Sequence, residues 1–133
     1  MKLLLDTHLI LWAAADATEL PDQARTLIED PAHTLLFSVA SLWEIVIKRG
    51  LDRNDFQVDP HVLRRNLLDA GYVELPITSE HVLAVEQLPA VHRDPFDRVL
   101  IAQAISEGVT LLTHDNTVAR YPGPIRHVRS RRA

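Results

Sequence analysis

Short apolar runs alternate along this chain with longer segments of helical character. The runs at 2–5 (KLLL), 34–38 (TLLFS) and 109–113 (VTLLT) are mostly apolar, which is typical of buried strands. Weaker strand signals lie at 72–75 and at 125–128, and we expect the second of these at an edge. Buried strands that alternate with helices predict an α/β fold with a mainly parallel sheet and helices on both faces.

Proline and glycine residues mark where the predicted helices begin and end. The pair Asp94-Pro95 is typical of a helix start, and Ser79 is expected to cap another helix. Gly50 and Gly108 are expected to end helices. The predicted helices span 8–15, 22–29, 39–49, 61–70, 79–88 and 95–107. Because no linker or repeat divides these elements, residues 1–133 are expected to form one domain.

The composition excludes several kinds of protein. With 47% hydrophobic and 24% charged residues, the chain of 133 residues is typical of a soluble globular domain and not of a disordered one. Disulfides and thiolate metal sites are excluded because there is no cysteine. Asp6 and His8 interrupt the apolar start, which is too short and too polar to cross a bilayer. We therefore expect a cytoplasmic protein without membrane contact.

Positive charge is concentrated near the end of the sequence, although the formal net charge is -4. Five of the fourteen lysines and arginines lie in the last fourteen residues, namely Arg120, Arg126, Arg129, Arg131 and Arg132. Residues 126–133 are therefore interpreted as a basic C-terminal tail. Such a tail is either a solvated segment or an arm that meets phosphate or an acidic partner.

Motifs of several other enzyme classes are absent. The sequence contains no HExxH zinc motif, no GxxxxGK[ST] phosphate loop and no nucleophile elbow. No two histidines are four residues apart, so a zinc site is disfavoured and most histidines are expected at the surface. They are His8, His33, His61, His81, His92, His114 and His127.

Two aspartates follow predicted strands. Asp6 comes directly after the first strand, and Asp115 follows the strand VTLLT by one histidine. Because the carboxyl ends of parallel strands meet at one edge of a sheet, both side chains are expected at the place where such folds bind ligands. Each also has a simpler interpretation, since Asp6 could cap the next helix and Asp115 could stabilise a turn.

Two further acids lie on helices with apolar surroundings. Glu44 stands within SVASLWEIVIK, and Asp97 shares a helical face with core residues three and four positions further on. Simpler interpretations exist here too: Glu44 is spaced for an ion pair with Lys48, and Asp97 for a capping arrangement with Asp94.

Taken together, the four acids indicate a metal site. Several carboxylates near one end of a sheet would repel one another in apolar surroundings unless a cation is bound among them. Mg²⁺ and Mn²⁺ prefer oxygen ligands, and carboxylate-bound ions of this kind assist phosphodiester displacement. The sequence therefore predicts Mg²⁺ or Mn²⁺ as a cofactor.

Four motifs in order give the chain a family resemblance. The stretches LLLDTHLILW, SVASLWEIVIK, HRDPFDRVLIAQA and LLTHD together resemble the PIN-domain ribonucleases, and most closely the toxins of bacterial VapBC-type toxin–antitoxin pairs. The resemblance runs from residue 1 to about residue 128. It implies a three-layer α/β/α fold, a homodimer, Mg²⁺- or Mn²⁺-dependent endonucleolytic cleavage of RNA, and silencing by a cognate antitoxin.

The resemblance also implies roles for individual residues. Asp6, Glu44, Asp97 and Asp115 would be the catalytic metal ligands. The hydroxyls of Thr7, Thr113 and Ser41 would orient these ligands or hold water. Asp94 precedes Pro95 and is expected to cap the helix or to orient Arg93 and Arg98. Arg98 is expected either to contact phosphate or to be a solvated helix residue.

Two other functions are compatible with parts of the sequence. A non-catalytic PIN-type RNA-binding module would have lost some of its acids, yet all four are present. A receiver-like phosphoacceptor signalling domain needs an acid at the end of a central strand and a late lysine. Here TLLFS ends without an acid and no lysine follows Lys48, which argues against that alternative.

Overall fold

A five-stranded sheet, parallel throughout, forms the centre of the molecule. The computed structural model describes residues 1–129, and within them the strand order is β3-β2-β1-β4-β5. The strands are β1 (Lys2–Leu5), β2 (Thr34–Ser38), β3 (Val73–Leu75), β4 (Thr110–Thr113) and β5 (Ile125–His127). All five predicted strands are confirmed, with β3 and β5 at the edges.

Six α-helices connect the strands, as predicted. They are α1 (Thr7–Ala14), α2 (Asp22–Glu29), α3 (Val39–Gly50), α4 (Pro60–Asp69), α5 (Ser79–Val85) and α6 (Pro95–Glu107). Two short 3-10 turns, at Asn54–Phe56 and Val118–Arg120, were not anticipated from the sequence.

The predicted helix ends differ from the structure in two places. The cap of α5 is Thr78 and not Ser79, because Thr78 Oγ1 accepts from the His81 amide while His81 Nδ1 accepts from the Thr78 amide. That helix also ends earlier than predicted, at Val85. Gly50 lies within α3, whereas Gly108 ends α6 in the left-handed conformation expected of it.

Hydrophobic side chains fill both faces of the sheet. Leu3 and Leu5 of β1 point into one cluster, which α1, α2, α3 and α4 complete. Leu4 points to the opposite face, where it packs with Leu100 and Ile101 of α6. This alternation is the period of two expected of a strand covered on both sides. The α/β fold with three layers is confirmed.

The chain reverses its direction of travel across the sheet beside β1. From β1 it proceeds to β2 and β3 on one side, and later to β4 and β5 on the other. Open α/β sheets bind ligands at such a reversal, outside the carboxyl ends of the strands. Here β1 and β4 are paired with Leu5 opposite Leu112, so Asp6 and Thr113 follow at the same level.

Part of the predicted basic tail belongs to the folded domain. Arg126 and His127 belong to edge strand β5, and Val128 is fully buried in the core, so these residues are part of the folded domain. Arg129 is exposed, and Arg131 and Arg132 lie outside the described residues. Within residues 1–129, no helix combines the length and the apolar character that crossing a bilayer requires.

Substituting Gly108 with alanine is expected to lower the free energy of unfolding. Gly108 has a φ angle of 66° and no atoms that an added Cβ would meet, so the cost is purely conformational, about 1 kcal/mol. Urea denaturation measures it. The matched control is Gly50→Ala: Gly50 is helical and equally uncrowded, so this change is expected to stabilise by about 0.5 kcal/mol. Equal changes in the free energy of unfolding at both positions would contradict a left-handed conformation at Gly108 and a helical one at Gly50.

Candidate metal centre

A small cavity at the carboxyl ends of β1 and β4 brings together all four acids singled out in the sequence. Its volume is about 190 Å³. It is lined by Asp6, Thr7, His8, Glu44, Lys48, His92, Asp94, Asp97 and Asp115. Residues that are 109 positions apart in sequence thus share one site, and five carboxylates face a single space.

Asp6 is buried and uses its two carboxylate oxygens in different directions. Oδ1 accepts from the amide of Leu9 at 2.9 Å and so caps α1. Oδ2 accepts from Thr113 Oγ1 at 2.6 Å and from the amide of His114 at 3.1 Å. Burial raises the pKa of Asp6, and these hydrogen bonds oppose that rise. The capping interpretation of Asp6 is therefore correct, and it is compatible with a position in the site.

Asp115 is exposed at the mouth of the cavity. Its Oδ1 accepts from the amides of Thr117 at 2.7 Å and Val118 at 3.1 Å, which confirms the predicted turn. Its own amide donates to Thr113 Oγ1 at 3.0 Å. The Thr113 hydroxyl therefore connects the two aspartates, because it donates to Asp6 and accepts from Asp115.

Glu44 reaches the cavity from α3 with both oxygens bonded. Thr7 Oγ1 donates to Glu44 Oε1 at 2.6 Å, and that hydroxyl also lies 3.0 Å from Ser41 Oγ. Lys48 Nζ donates to Glu44 Oε2 at 2.5 Å, so the ion pair expected from the spacing is present. Thr7, Ser41 and Glu44 are all buried. The two hydroxyls thus hold a carboxylate in place, in keeping with the roles suggested for them.

Asp97 and Asp94 occupy the first turn of α6. Asp94 is the N-cap, and its Oδ1 accepts from the amides of Phe96 at 2.8 Å and Asp97 at 3.2 Å. Burial raises the pKa of Asp97 to about 7, with further contributions from the negative charges of Asp94 and Glu44. Capping by Asp94 is confirmed, but its Oδ2 faces Lys48 Nζ at 3.8 Å, so Asp94 also belongs to the cavity wall.

His92 is a site residue that the sequence did not reveal. Its Nε2 lies 2.8 Å from Asp97 Oδ2, and the ligand atoms of His92, Asp94 and Asp97 all lie within 4.8 Å of one another. Of the seven histidines only His81 is buried; His61 is exposed and the other five are half-buried, which agrees with the expectation that most histidines lie at the surface. The usable signal was the position of His92 in the stretch HRDPFDR, beside two candidate acids.

Arg98 is neither solvated nor part of the cavity wall. Its guanidinium donates to the carbonyl oxygens of Val85, Leu88, Pro89 and His92 and to the hydroxyl of Tyr121. Tyr121 Oη in turn lies 2.7 Å from the His92 amide, which donates to it. Arg98 therefore binds the backbone of the 85–92 segment, and through it holds His92 beside Asp97. The solvated alternative for Arg98 is wrong.

The residues of the cavity fit a hard divalent cation. The donor set consists of five carboxylates with the half-buried imidazoles of His8 and His92, and its excess of oxygen suits Mg²⁺ and Mn²⁺. The pKa of Asp97 is raised first by burial and then by the negative charges of Asp94 and Glu44. A bound cation would relieve that repulsion, which the single ammonium of Lys48 relieves only in part.

Comparisons with known proteins agree with the fold. The sequence matches the PIN domain family over residues 3–124. No curated protein matches it at a significant level.

Among solved structures, similar chains occur in several bacterial complexes. One is VapBC2 from Rickettsia felis bound to a DNA fragment from its promoter, with a TM-score of 0.69, 17% identity, and coverage of 96% of this chain and 99% of that chain. DNA-bound VapBC from Salmonella typhimurium gives a TM-score of 0.63 and VapBC-1 from nontypeable Haemophilus influenzae 0.60. Both are 17% identical and cover 96% of this chain and 98% of theirs.

Substituting Asp97 with asparagine is expected to stabilise the metal-free protein at alkaline pH. Asp97 has a pKa of about 7 when folded against an ordinary value of 3.8, so the folded state binds the extra proton between these values. The free energy of unfolding of the wild type therefore falls as pH rises from about 4 to about 7. Asparagine cannot ionise, and above pH 7 the variant is expected to gain on the order of 2 kcal/mol.

Urea denaturation in the presence of EDTA measures this difference between the two proteins at several pH values. The gain is expected to shrink as the pH falls toward 3.8 and to vanish below it, where Asp97 is protonated in both the folded and unfolded states. A difference that is the same at every pH would show that ionisation of Asp97 does not cause it.

Substituting Arg98 with methionine is expected to loosen the segment that carries His92. The variant loses charge-assisted hydrogen bonds to carbonyl oxygens, at a cost of about 2 kcal/mol in the free energy of unfolding. Amide hydrogen exchange is expected to rise in residues 85–94 more than in the sheet. Arg93→Met, at an exposed arginine nearby, is the matched control and should leave exchange unchanged. Unchanged exchange of residues 85–94 in Arg98→Met, as in the control, would show that Arg98 does not hold this segment.

Proposed function

The chain belongs to the PIN domain family, and on that premise we propose that it is a metal-dependent endoribonuclease that acts as the toxin of a VapBC-type toxin–antitoxin pair. One observation carries the proposal: acids from four separate motifs line the same cavity at the carboxyl ends of the central strands. A non-catalytic PIN module would not need to keep four acids in one wall. The receiver-like alternative is disfavoured by the family match.

Asp6, Glu44, Asp97 and Asp115 would hold Mg²⁺ or Mn²⁺. When bound, such an ion supplies water of lowered pKa as a nucleophile and neutralises charge on a phosphodiester undergoing displacement. The expected products carry 5′-phosphate and 3′-hydroxyl ends. No side chain of the protein then has to serve as the general base, which agrees with the lack of a nucleophile–histidine motif in the sequence.

The protein's own residues contribute preorganisation. Thr113 fixes Asp6 and Asp115 relative to each other, and Thr7 fixes one oxygen of Glu44. Carboxylates that are hydrogen-bonded in this way keep the orientation needed for metal binding before the ion arrives. The exposed position of Asp115 leaves one side of the centre open to solvent, as a polymeric substrate requires.

Aromatic rings beside the centre support RNA as the substrate class. An adjoining cavity of about 230 Å³ is lined by Asp6, His8, Trp12, His114 and Asp115. The Trp12 ring lies 5.6 Å from that of His8 and 5.4 Å from that of His114. Proteins that bind single-stranded nucleic acids stack bases on such rings. A small phosphodonor, the substrate of the receiver-like alternative, has no base to stack.

A protein partner is part of the proposal. The similar chains come from complexes named VapBC, which supports a cognate antitoxin here as well. Apolar side chains on the outer face of α3 support protein–protein contact, since Trp43, Val46 and Leu51 are 56%, 53% and 69% exposed. We include a homodimer in the proposal, because the same exposed apolar side chains are suited to contact with a second copy of the chain.

Substituting Asp6 with asparagine is expected to abolish metal-dependent cleavage. Asparagine can still cap α1 but no longer accepts from Thr113 and His114 as well, so circular dichroism verifies that the variant is folded. The rate should fall by more than ~100-fold, since even the outer partners of metal ligands are worth 10- to 100-fold. The assay is 5′-end sequencing of RNA incubated with protein and Mg²⁺ or Mn²⁺, with EDTA as a blank.

Asp69→Asn is the matched control for this experiment. Asp69 is an exposed aspartate in α4, so its substitution removes the same charge without touching the cavity. Cleavage by Asp6→Asn at the rate of the control would overturn the proposed function.

A further inference from the structure

Lys48 is a cation that the fold itself places in the candidate metal centre. Among the residues of 1–129 that line the cavity, it is the only lysine or arginine. Its Nζ donates to Glu44 Oε2 and lies 3.8 Å from Asp94 Oδ2. Lys48 therefore sits between two carboxylates from different helices, α3 and α6.

The ammonium group of Lys48 is held in this position and does not extend into solvent. The Lys48 side chain is 19% exposed, and Nζ lies 4.8 Å from the centre of the Phe56 ring. Phe56 is fully buried in the short 3-10 turn after α3, so the ring is a fixed surface for a cation–π contact. Glu44, Asp94 and Phe56 thus approach the same nitrogen.

We propose that the Lys48 ammonium takes the place of a second divalent ion, so that the centre binds one Mg²⁺ or Mn²⁺ and not two. The inference rests on the proposed function, because it presumes that the acids bind a divalent cation. It assigns the Glu44–Asp94 side of the cavity to Lys48. The single ion is left to Asp6, Asp97 and Asp115, so the inference narrows the four-acid ligand set of the proposed function to three and pairs Glu44 with Lys48.

The hydrogen bonds of Glu44 support this division. One oxygen of Glu44 accepts from Thr7 and the other from Lys48, so a positive charge already lies against Oε2. A divalent ion on this side would stand within a few ångströms of the ammonium. In the low dielectric of a partly buried cavity, two positive charges at that separation repel strongly.

Removing the Lys48 charge would leave a second set of ligands without its cation. Glu44 Oε2 and Asp94 Oδ2 would then face each other across the space that Nζ fills. Beside them, His92, Asp94 and Asp97 have ligand atoms within 4.8 Å of one another. The substitution Lys48→Met is thus expected to create a second binding position from residues already in place.

An ammonium and a metal ion are not equivalent in this position. The ammonium gives a fixed positive charge and N–H donors, but it coordinates no water. The wild-type centre would therefore have one metal-bound source of nucleophilic water on the Asp6–Asp115 side. Lys48 would act as a positioning residue for Glu44 and as a counter-charge for Asp94.

The test is the binding stoichiometry of Mn²⁺. Metal-free wild type, Lys48→Met and Lys48→Arg are each titrated with MnCl₂ in a calorimeter, and the loaded samples are measured by electron paramagnetic resonance. One ion is expected for wild type and Lys48→Arg. Two ions, with a spin-coupled pair signal, are expected for Lys48→Met.

Arg49→Met is the matched control, because Arg49 is the next residue of α3 but is exposed and does not line the cavity. It removes one positive charge from the same helix and is expected to bind one ion. Circular dichroism verifies that each variant is folded. Lys48→Gln replaces Lys48→Met if the methionine variant fails to fold.

Each outcome decides the inference. Two ions in wild type would overturn it, and so would a single ion in a folded Lys48→Met or Lys48→Gln variant. No Mn²⁺ binding by wild type, or unchanged binding by Asp6→Asn, would refute the metal centre itself and with it the proposed function. The failure of the inference is thus distinguishable from the failure of the nuclease proposal.

Discussion

The hydrogen bond from Thr113 to Asp6 joins two strands at the point where the chain changes sides of the sheet. It spans 107 residues of sequence and lies in the interior. Burying a carboxylate there is unfavourable unless polar groups donate hydrogen bonds to it. The end of β4 provides two such donors, the Thr113 hydroxyl and the His114 amide. The same oxygen that needs this support faces the cavity. Stability and the candidate site therefore depend on one interaction.

Much of the architecture was predictable because its determinants are local. Apolar runs of four or five residues are the strands, and the pair Asp94-Pro95 starts α6 as expected. The placement of Asp6 and Asp115 at one edge followed from the general geometry of parallel sheets, and both line the cavity. The sequence predicts Ser79 as the cap of α5, whereas the cap is Thr78. The deciding partner is the ring of His81, whose orientation is set by the fold.

The features missed in the sequence arise from contacts between distant segments. The spacing of Glu44 and Lys48 predicts their ion pair, but nothing local indicates that Asp94 approaches the same ammonium. Arg98 likewise looks like an ordinary helical arginine until the 85–92 carbonyls fold back over it. In each case a polar side chain is directed by burial in the tertiary structure. Patterns of a few residues do not contain that information.

The division of the acids between the two ends of the chain has a consequence during synthesis. Asp6 leaves the ribosome early, whereas Thr113 and Asp115 are among the last residues of the domain to be made. A nascent chain without β4 lacks both the hydroxyl that holds Asp6 and the fourth acid. The centre can therefore assemble only when translation of the domain is almost finished. For a protein proposed to cut RNA, this order separates the making of the chain from the onset of its activity.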